Sequence, residues 1–323
     1  MHSFIQAESL EERGKTNPGW VTVFSRCVLP NFHFQIACLG TIIFLFDIFG
    51  CKLTQVFVPD VVGRAIAFVI VVAAIQALPI YWHSKGEADL RDAAATLPWF
   101  ALFIILLPYV QDVAARLGRS RAMQDASFVR FDGWLGIDVP KIASWASGNV
   151  VGHWIDMSYF LLVPFMYVAF LLPALTGEVE RAEQFVTANF LFSILGTPFF
   201  ALLPAVGPWY GWHTAADFAQ VKTQSDLFLL REPGPYVHHF CAVVCFPSGH
   251  AMGAILAGYS LWIYRPLRIP ILLLSGCIIF STLTTGWHYF IDVLGAIFAS
   301  LICIPIARWL SRMRARSGHP STQ

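Results

Sequence analysis

Pro247-Ser248-Gly249-His250 and, 36 residues later, Gly286-Trp287-His288-Tyr289-Phe290-Ile291-Asp292 are the stretches on which the fold turns. Each carries a histidine where the chain enters a long apolar run. The segment between them, 251–287, has room for one span out, a basic turn at Arg265–Arg268 and one span back. A membrane-crossing helix needs about 20 residues, with about 17 tolerated. The hairpin therefore returns His288 to the membrane face at which His250 began, and two imidazoles and a carboxylate are expected to meet at one interface.

The composition demands a membrane. Of the 323 residues, 57% are hydrophobic and 13% charged, where soluble domains carry about 25% charged residues. Apolar runs recur at 34–50, 61–81, 96–113, 154–175, 185–206, 247–264, 269–286 and 288–308. They are too long for the roughly 10-residue strands of a membrane barrel. The expected fold is all-α, a polytopic membrane helical bundle of about eight transmembrane helices. Its parts are a polar tail at 1–33, accessory helices at 34–95, a six-helix catalytic core at 96–310 and a basic tail at 311–323. The polar tail is unlike a secretory signal, which places its apolar stretch near the start. Net charge is +1, with no basic block to suggest nucleic acid. Seven cysteines are scattered mostly through apolar runs; the close pair Cys241 and Cys245 leaves a disulfide or a metal open.

Orientation follows from the 21 Lys and Arg residues. With eight spans, twelve fall on the side of both termini and nine on the other, a bias that makes the termini cytoplasmic. The turn at Arg265–Arg268 and the end of the last span carry most of that bias. Both histidine motifs then face away from the cytoplasm. The stretch 131–140 is too short to span and is expected to lie as a short helix in the headgroup plane. The segment 207–245 is expected as a long loop, holding Lys222 and Arg231.

Four residues apart on a helix, His288 and Asp292 share a face. The carboxylate can take a hydrogen bond from one imidazole nitrogen and leave the other free to attack. A structural His–Asp contact tying two helices together is the alternative. Proline suits the first helical turn, and free amides at a helix N-terminus bind phosphate, so Ser248 and Gly249 are candidates for holding a phosphate. His250 in the same turn could protonate a leaving oxygen. Gly249, Gly253, Ala254 and Gly258 also have the spacing of close helix packing.

Taken together, Pro247-Ser248-Gly249-His250 and His288-xxx-Asp292 resemble the second and third signature motifs of the type 2 phosphatidic acid phosphatase superfamily. The resemblance covers the chain from about residue 96. It implies that His288 attacks phosphorus to form a phosphohistidine, that Asp292 orients it and that His250 protonates the leaving group. Two departures stand out. The superfamily's first motif, Lys-x6-Arg-Pro, is missing from Phe200–Tyr210, and Thr282 stands where an arginine usually precedes the third motif. Both, together with Gly286-Trp287-His288-Tyr289, are similar to the inositol phosphorylceramide synthase-like branch, whose members pass a phosphoryl headgroup to a lipid alcohol.

Arg231 and Lys222 are then candidate phosphate-binding cations, and His153 and Asp156 candidate headgroup ligands. The function these residues imply is a membrane lipid phosphotransferase, with a lipid phosphatase as the alternative. A transporter with a His/Asp proton relay is a reading of another class, disfavoured because the charges gather at interfaces. No cofactor or metal is required, and the partners are a lipid-phosphate substrate and the bilayer.

Overall fold

The computed structural model describes residues 110–237 and 246–317, with isolated positions between 38 and 107. The tail at 1–33, nearly all of the accessory helices at 34–95, and Cys241 and Cys245 lie outside the described residues. Apart from a two-residue parallel pairing of Val56–Phe57 with Tyr236–Val237, every described element is helical.

After helical residues at 110–117 come two short helices, α1 (Asp125–Trp134) and α2 (Val139–Ser147), where Asp138 caps α2 by accepting from Lys141 N. The single interfacial helix expected at 131–140 is thus divided: Gly136, at φ +73°, breaks the helix between them. The chain continues through α3 (Val150–Leu175) and α4 (Val179–Leu202). It then makes the single turn α5 (Pro208–Gly211) and α6 (Phe218–Arg231). The last three helices are α7 (Gly249–Leu261), α8 (Arg265–Thr284) and α9 (Phe290–Ser317).

The segment 207–245 is therefore no simple loop. Asp217 and Gln220 form a reciprocal capping box that starts a 14-residue helix, satisfying two amide donors that would otherwise go unpaired.

Among the described residues, four helices are long and apolar enough to cross a membrane: α3, α4, α8 and the Phe290–Met313 part of α9. They bear outward apolar side chains such as Trp154, Phe160, Ile269, Leu273, Phe298 and Leu301, as a lipid-facing surface requires. These features suggest an integral membrane protein.

The run expected to span at 247–264 is shorter as a helix. At 13 residues α7 rises about 20 Å, less than the bilayer core of about 30 Å. It occupies the centre of the bundle, with α3, α4, α8 and α9 all packed on it. Small residues allow that approach. A Cβ on Gly253 would sit 3.1 Å from Leu162 and one on Gly258 2.7 Å from the Ser275 hydroxyl, which itself bonds the Ala254 carbonyl. The apolar core runs along this helix through Met252, Leu256 and Leu261 to Phe185 and Phe190 of α4.

Candidate active site

The site forms where α7 and α9 begin, and its backbone is held by side chains far away in sequence. Gly286 takes φ +69° at the end of α8, a left-handed turn that favours glycine. The chain then runs non-helically through Trp287, His288 and Tyr289 before α9 starts at Phe290. His288 therefore precedes the helix, correcting the expectation that it shares a helical face with Asp292. The two meet because Asp292, in the first turn of α9, reaches back over the strap. Its Oδ2 lies 3.2 Å from His288 Nδ1 and accepts the Tyr289 amide at 2.8 Å. His288 is 4% exposed and Asp292 fully buried. The same strap is closed from behind by the His288 amide, which donates to Thr282 O at 3.0 Å.

Two carboxylates of α1 fasten this strap. Seven residues apart, Asp125 and Asp132 fall two helical turns apart on one face, and both are buried. Asp132 accepts from Phe290 N at 2.8 Å and Ile291 N at 3.0 Å, the first two amides of α9. Asp125 accepts from Val206 N and Gly207 N and lies 2.8 Å from the Tyr289 hydroxyl. Burial pushes the Asp132 carboxyl up to about 6, the two amides oppose that rise, and the nearby Asp292 adds to it. Burial likewise raises Asp125, against its hydrogen bonds to Gly207, Tyr289 and Val206.

His250 enters from α7. Its ring stacks on Tyr159 of α3 at 4.0 Å between centroids, and Tyr159 Oη lies 3.3 Å from His250 Nδ1. The His250 and His288 rings stand 6.2 Å apart. Both line a cavity of about 1150 Å³. One part of its wall is apolar, with Phe103, Val163, Met166 and Phe192; the other carries Ser144, Ser147, Asp156, Thr284 and Thr285. Among the described lining residues there is no lysine or arginine.

The remaining sequence-derived candidates divide. Gly249 lines the cavity with open space where a Cβ would stand, and the first amides of α7 have no partner within the helix. Ser248 lies just behind it, fully buried. Its amide donates to Asp292 O at 3.1 Å and its hydroxyl accepts from Ala251 N at 3.2 Å, so it ties the two motifs together.

Arg231 and Lys222, expected at the phosphate, are engaged outside the cavity. Arg231 donates to the carbonyls of Gly118, Arg119 and Arg121, and Lys222 pairs with Asp226 at 2.9 Å. Both follow from the helix at 218–231, which sets Lys222 four residues from Asp226 and Arg231 beside the 118–121 turn. Asp156 lines the cavity, whereas His153 is exposed and does not. Residues not anticipated are Tyr159, Asp125, Asp132 and Tyr289. For Tyr159 the only local signal is an aromatic one turn after Asp156.

Two histidines thus line a partly apolar cavity inside a helical bundle, and a buried aspartate holds one of them. A family model described as the PAP2 superfamily matches residues 126–306, more than half of the chain, and the protein belongs to that superfamily. Membership suggests lipid phosphatase or phosphotransferase chemistry. No curated protein and no solved structure matches the chain.

Proposed function

We propose that this protein is a lipid phosphotransferase working through a phosphohistidine, with its site open to the non-cytoplasmic leaflet. The observation that carries the reading is the His288–Asp292 contact at 3.2 Å facing His250, with 6.2 Å between the imidazole rings. That separation admits one phosphoryl group, given reacting distances of about 3–3.5 Å.

With Nδ1 held by Asp292, the Nε2 lone pair of His288 attacks phosphorus. The bond from phosphorus to the leaving oxygen breaks, and that oxygen takes a proton from His250. An acceptor hydroxyl then attacks the phosphohistidine and gives its proton to His250. The P–N bond breaks, and its electron pair returns to His288. Charge growing on the phosphoryl oxygens is met by the amides that open α7 at Gly249 and His250. Ser248 supports them from behind.

Transfer is favoured over hydrolysis by the missing Lys-x6-Arg-Pro motif, by Thr282, and by a described lining without lysine or arginine. The first two, together with Gly286-Trp287-His288-Tyr289, are the features similar to the inositol phosphorylceramide synthase-like branch. The orientation rests on Arg265 and Arg268, which sit at the end of α8 opposite to His288.

Purified full-length protein in detergent, given a panel of lipid phosphates with and without lipid alcohols, tests the reading. Formation of a new phospholipid that requires both His288 and the alcohol is the expected result. Phosphate release unaffected by the alcohol would replace transferase with phosphatase. Turnover that survives His288→Ala would remove the mechanism altogether.

A further inference from the structure

Two arginines join the turn 118–121 to the end of α6 by exchanging helix ends. Arg116, buried in the last turn of the helical stretch 110–117, donates to Leu230 O of α6 and to Gly234 O beyond it. Arg231, in the last turn of α6, donates in return to the Gly118, Arg119 and Arg121 carbonyls. Cations at helix C-termini serve carbonyls that have no partner within the helix. The fold therefore accounts for these two guanidiniums.

It does not account for Arg119 and Arg121. Both are exposed on the turn whose carbonyls Arg231 holds, so a third guanidinium lies against the same backbone. Neither side chain meets an acceptor among the described residues. Of the acids nearest in sequence, Asp112 is buried, Asp125 serves Val206, Gly207 and Tyr289, and Glu232 alone is exposed. Like charges gathered in one place repel each other and draw in an anion. Setting the topology does not explain the pair, because both arginines fall on the side with fewer Lys and Arg.

The surroundings select the anion. A Cβ on Gly118 would overlap the Ala201 carbonyl, so the turn lies against the last turn of α4. There Phe200 lines the cavity, while Phe199 and Leu202 are exposed, as is Leu117 just before the turn. The arginines thus stand where an outward apolar surface ends, at the end of the bundle that carries His250 and His288. Phosphate groups of a leaflet lie at such a boundary, and the arginine fork matches phosphate oxygens. An acidic protein would answer the charge but not the exposed apolar residues beside it.

We propose that Arg119 and Arg121, together with Arg231, form a surface site for the headgroup phosphate of an anionic phospholipid. The lipid belongs to the leaflet at the active-site end. The site is separate from the cavity, across the last turn of α4, and holds anionic lipid beside it.

The test uses full-length protein stripped of lipid in an uncharged detergent. Phosphatidylglycerol or phosphatidylcholine of matched chains is titrated in, and the rise in unfolding midpoint gives an apparent Kd for each. Wild type should prefer the anionic lipid, and the preference should shrink as salt rises from about 0.05 to about 0.5 M. Arg119→Gln/Arg121→Gln should lose about 10- to 30-fold of the preference, since two charges near a lipid phosphate are removed. Each single variant should lose about 3- to 5-fold, and the pair carries the comparison if the double variant does not fold. Arg265→Gln/Arg268→Gln, at the other end of the bundle, should keep the preference.

A preference that survives Arg119→Gln/Arg121→Gln, or that vanishes with Arg265→Gln/Arg268→Gln instead, would overturn the proposal. Inorganic phosphate that displaces the lipid at equal concentration would overturn it by making free phosphate the occupant. A wild type indifferent to the two lipids would do the same and leave the arginines to a protein partner. The readout is binding, so none of these outcomes bears on the phosphotransferase reading, which stands or falls on turnover.

Discussion

Asp132 accepts the first two amides of the helix that carries Asp292, from Phe290 at 2.8 Å and Ile291 at 3.0 Å. The short helix α1 thereby sets where the His288 strap ends and α9 begins. A carboxylate suits the position because two amide donors and the positive end of the helix dipole converge on it.

The first prediction follows from that contact. The Asp132 carboxyl is raised from its ordinary 3.8 to about 6 by burial, so the folded protein binds a proton there more tightly than the unfolded chain. The contribution to stability is complete below about pH 4 and is lost as pH rises through about 6. Asp132→Asn stays neutral throughout. Its unfolding midpoint in detergent should therefore gain on wild type between pH 4 and 6.5, then hold a constant gap. The same variant should lose turnover about 10-fold or more at pH 7.5, since an amide group accepts only one of the two N–H groups. A gap that does not move with pH, or that closes as pH rises, would show that the carboxylate is not strained by its burial.

The second concerns the two imidazoles. His288→Ala should abolish turnover, and Asp292→Asn should lower kcat by about 10³–10⁴ through misorientation of the ring. His250→Ala should lower kcat by about 10²–10⁴. With a donor whose leaving group needs no proton, such as a p-nitrophenyl phosphodiester, this variant should still complete the first half of the reaction. An acid-labile phosphoprotein would then accumulate at His288, detectable by mass spectrometry. Equal losses on both donors, with no phosphoprotein, would argue against His250 as the acid.

Much of this arrangement was legible in the chain itself. Long apolar runs and paired His motifs carry their signal locally, through composition and spacing. The capping box at Asp217 and Gln220 was local as well, yet the charged surroundings made the segment look like a loop. The brace from α1 was not legible. Asp132 and Phe290 lie 158 residues apart, and by composition alone Phe131-Asp132-Gly133-Trp134 reads as an interfacial helix, with nothing local to point to a distant partner. The helical phase of His288 does not follow from the i, i+4 spacing, because Gly286 ends the preceding turn in the left-handed region and the new helix waits for Asp132 to cap it. The partners of Arg231 and Lys222 are not legible locally, because they appear only once 218–231 is helical and packs beside the 118–121 turn.

A third prediction addresses Tyr159, whose hydroxyl and ring both contact His250. Tyr159→Phe keeps the stack and loses the hydroxyl, so His250 is left with a freer ring and an altered tautomer balance. A drop in kcat of about 5-fold with a displaced pH–rate profile is expected, because one neutral hydrogen bond is worth about 1 kcal/mol. Tyr159→Leu, which removes the stack also, should fall further. A Tyr159→Phe variant with the wild-type profile would confine the residue to packing.

The last prediction sets two glycines of α7 against each other. A Cβ at Gly258 would come within 2.7 Å of the Ser275 hydroxyl, which is already bonded to the Ala254 carbonyl, whereas a Cβ at Gly249 meets nothing within 4 Å. Gly258→Ala must push α8 away from α7 or break that bond. Its cost should be of the order of 1–3 kcal/mol, read as a lowered unfolding midpoint, with KM little changed in whatever fraction stays folded. Gly249→Ala should leave the midpoint within about 0.5 kcal/mol of wild type. Its methyl group would stand beside the free amides where the phosphate is expected, and KM should rise about 5- to 50-fold. The reverse pattern, a destabilised Gly249→Ala with normal KM, would mean that the start of α7 is a packing surface and that the phosphate is held elsewhere.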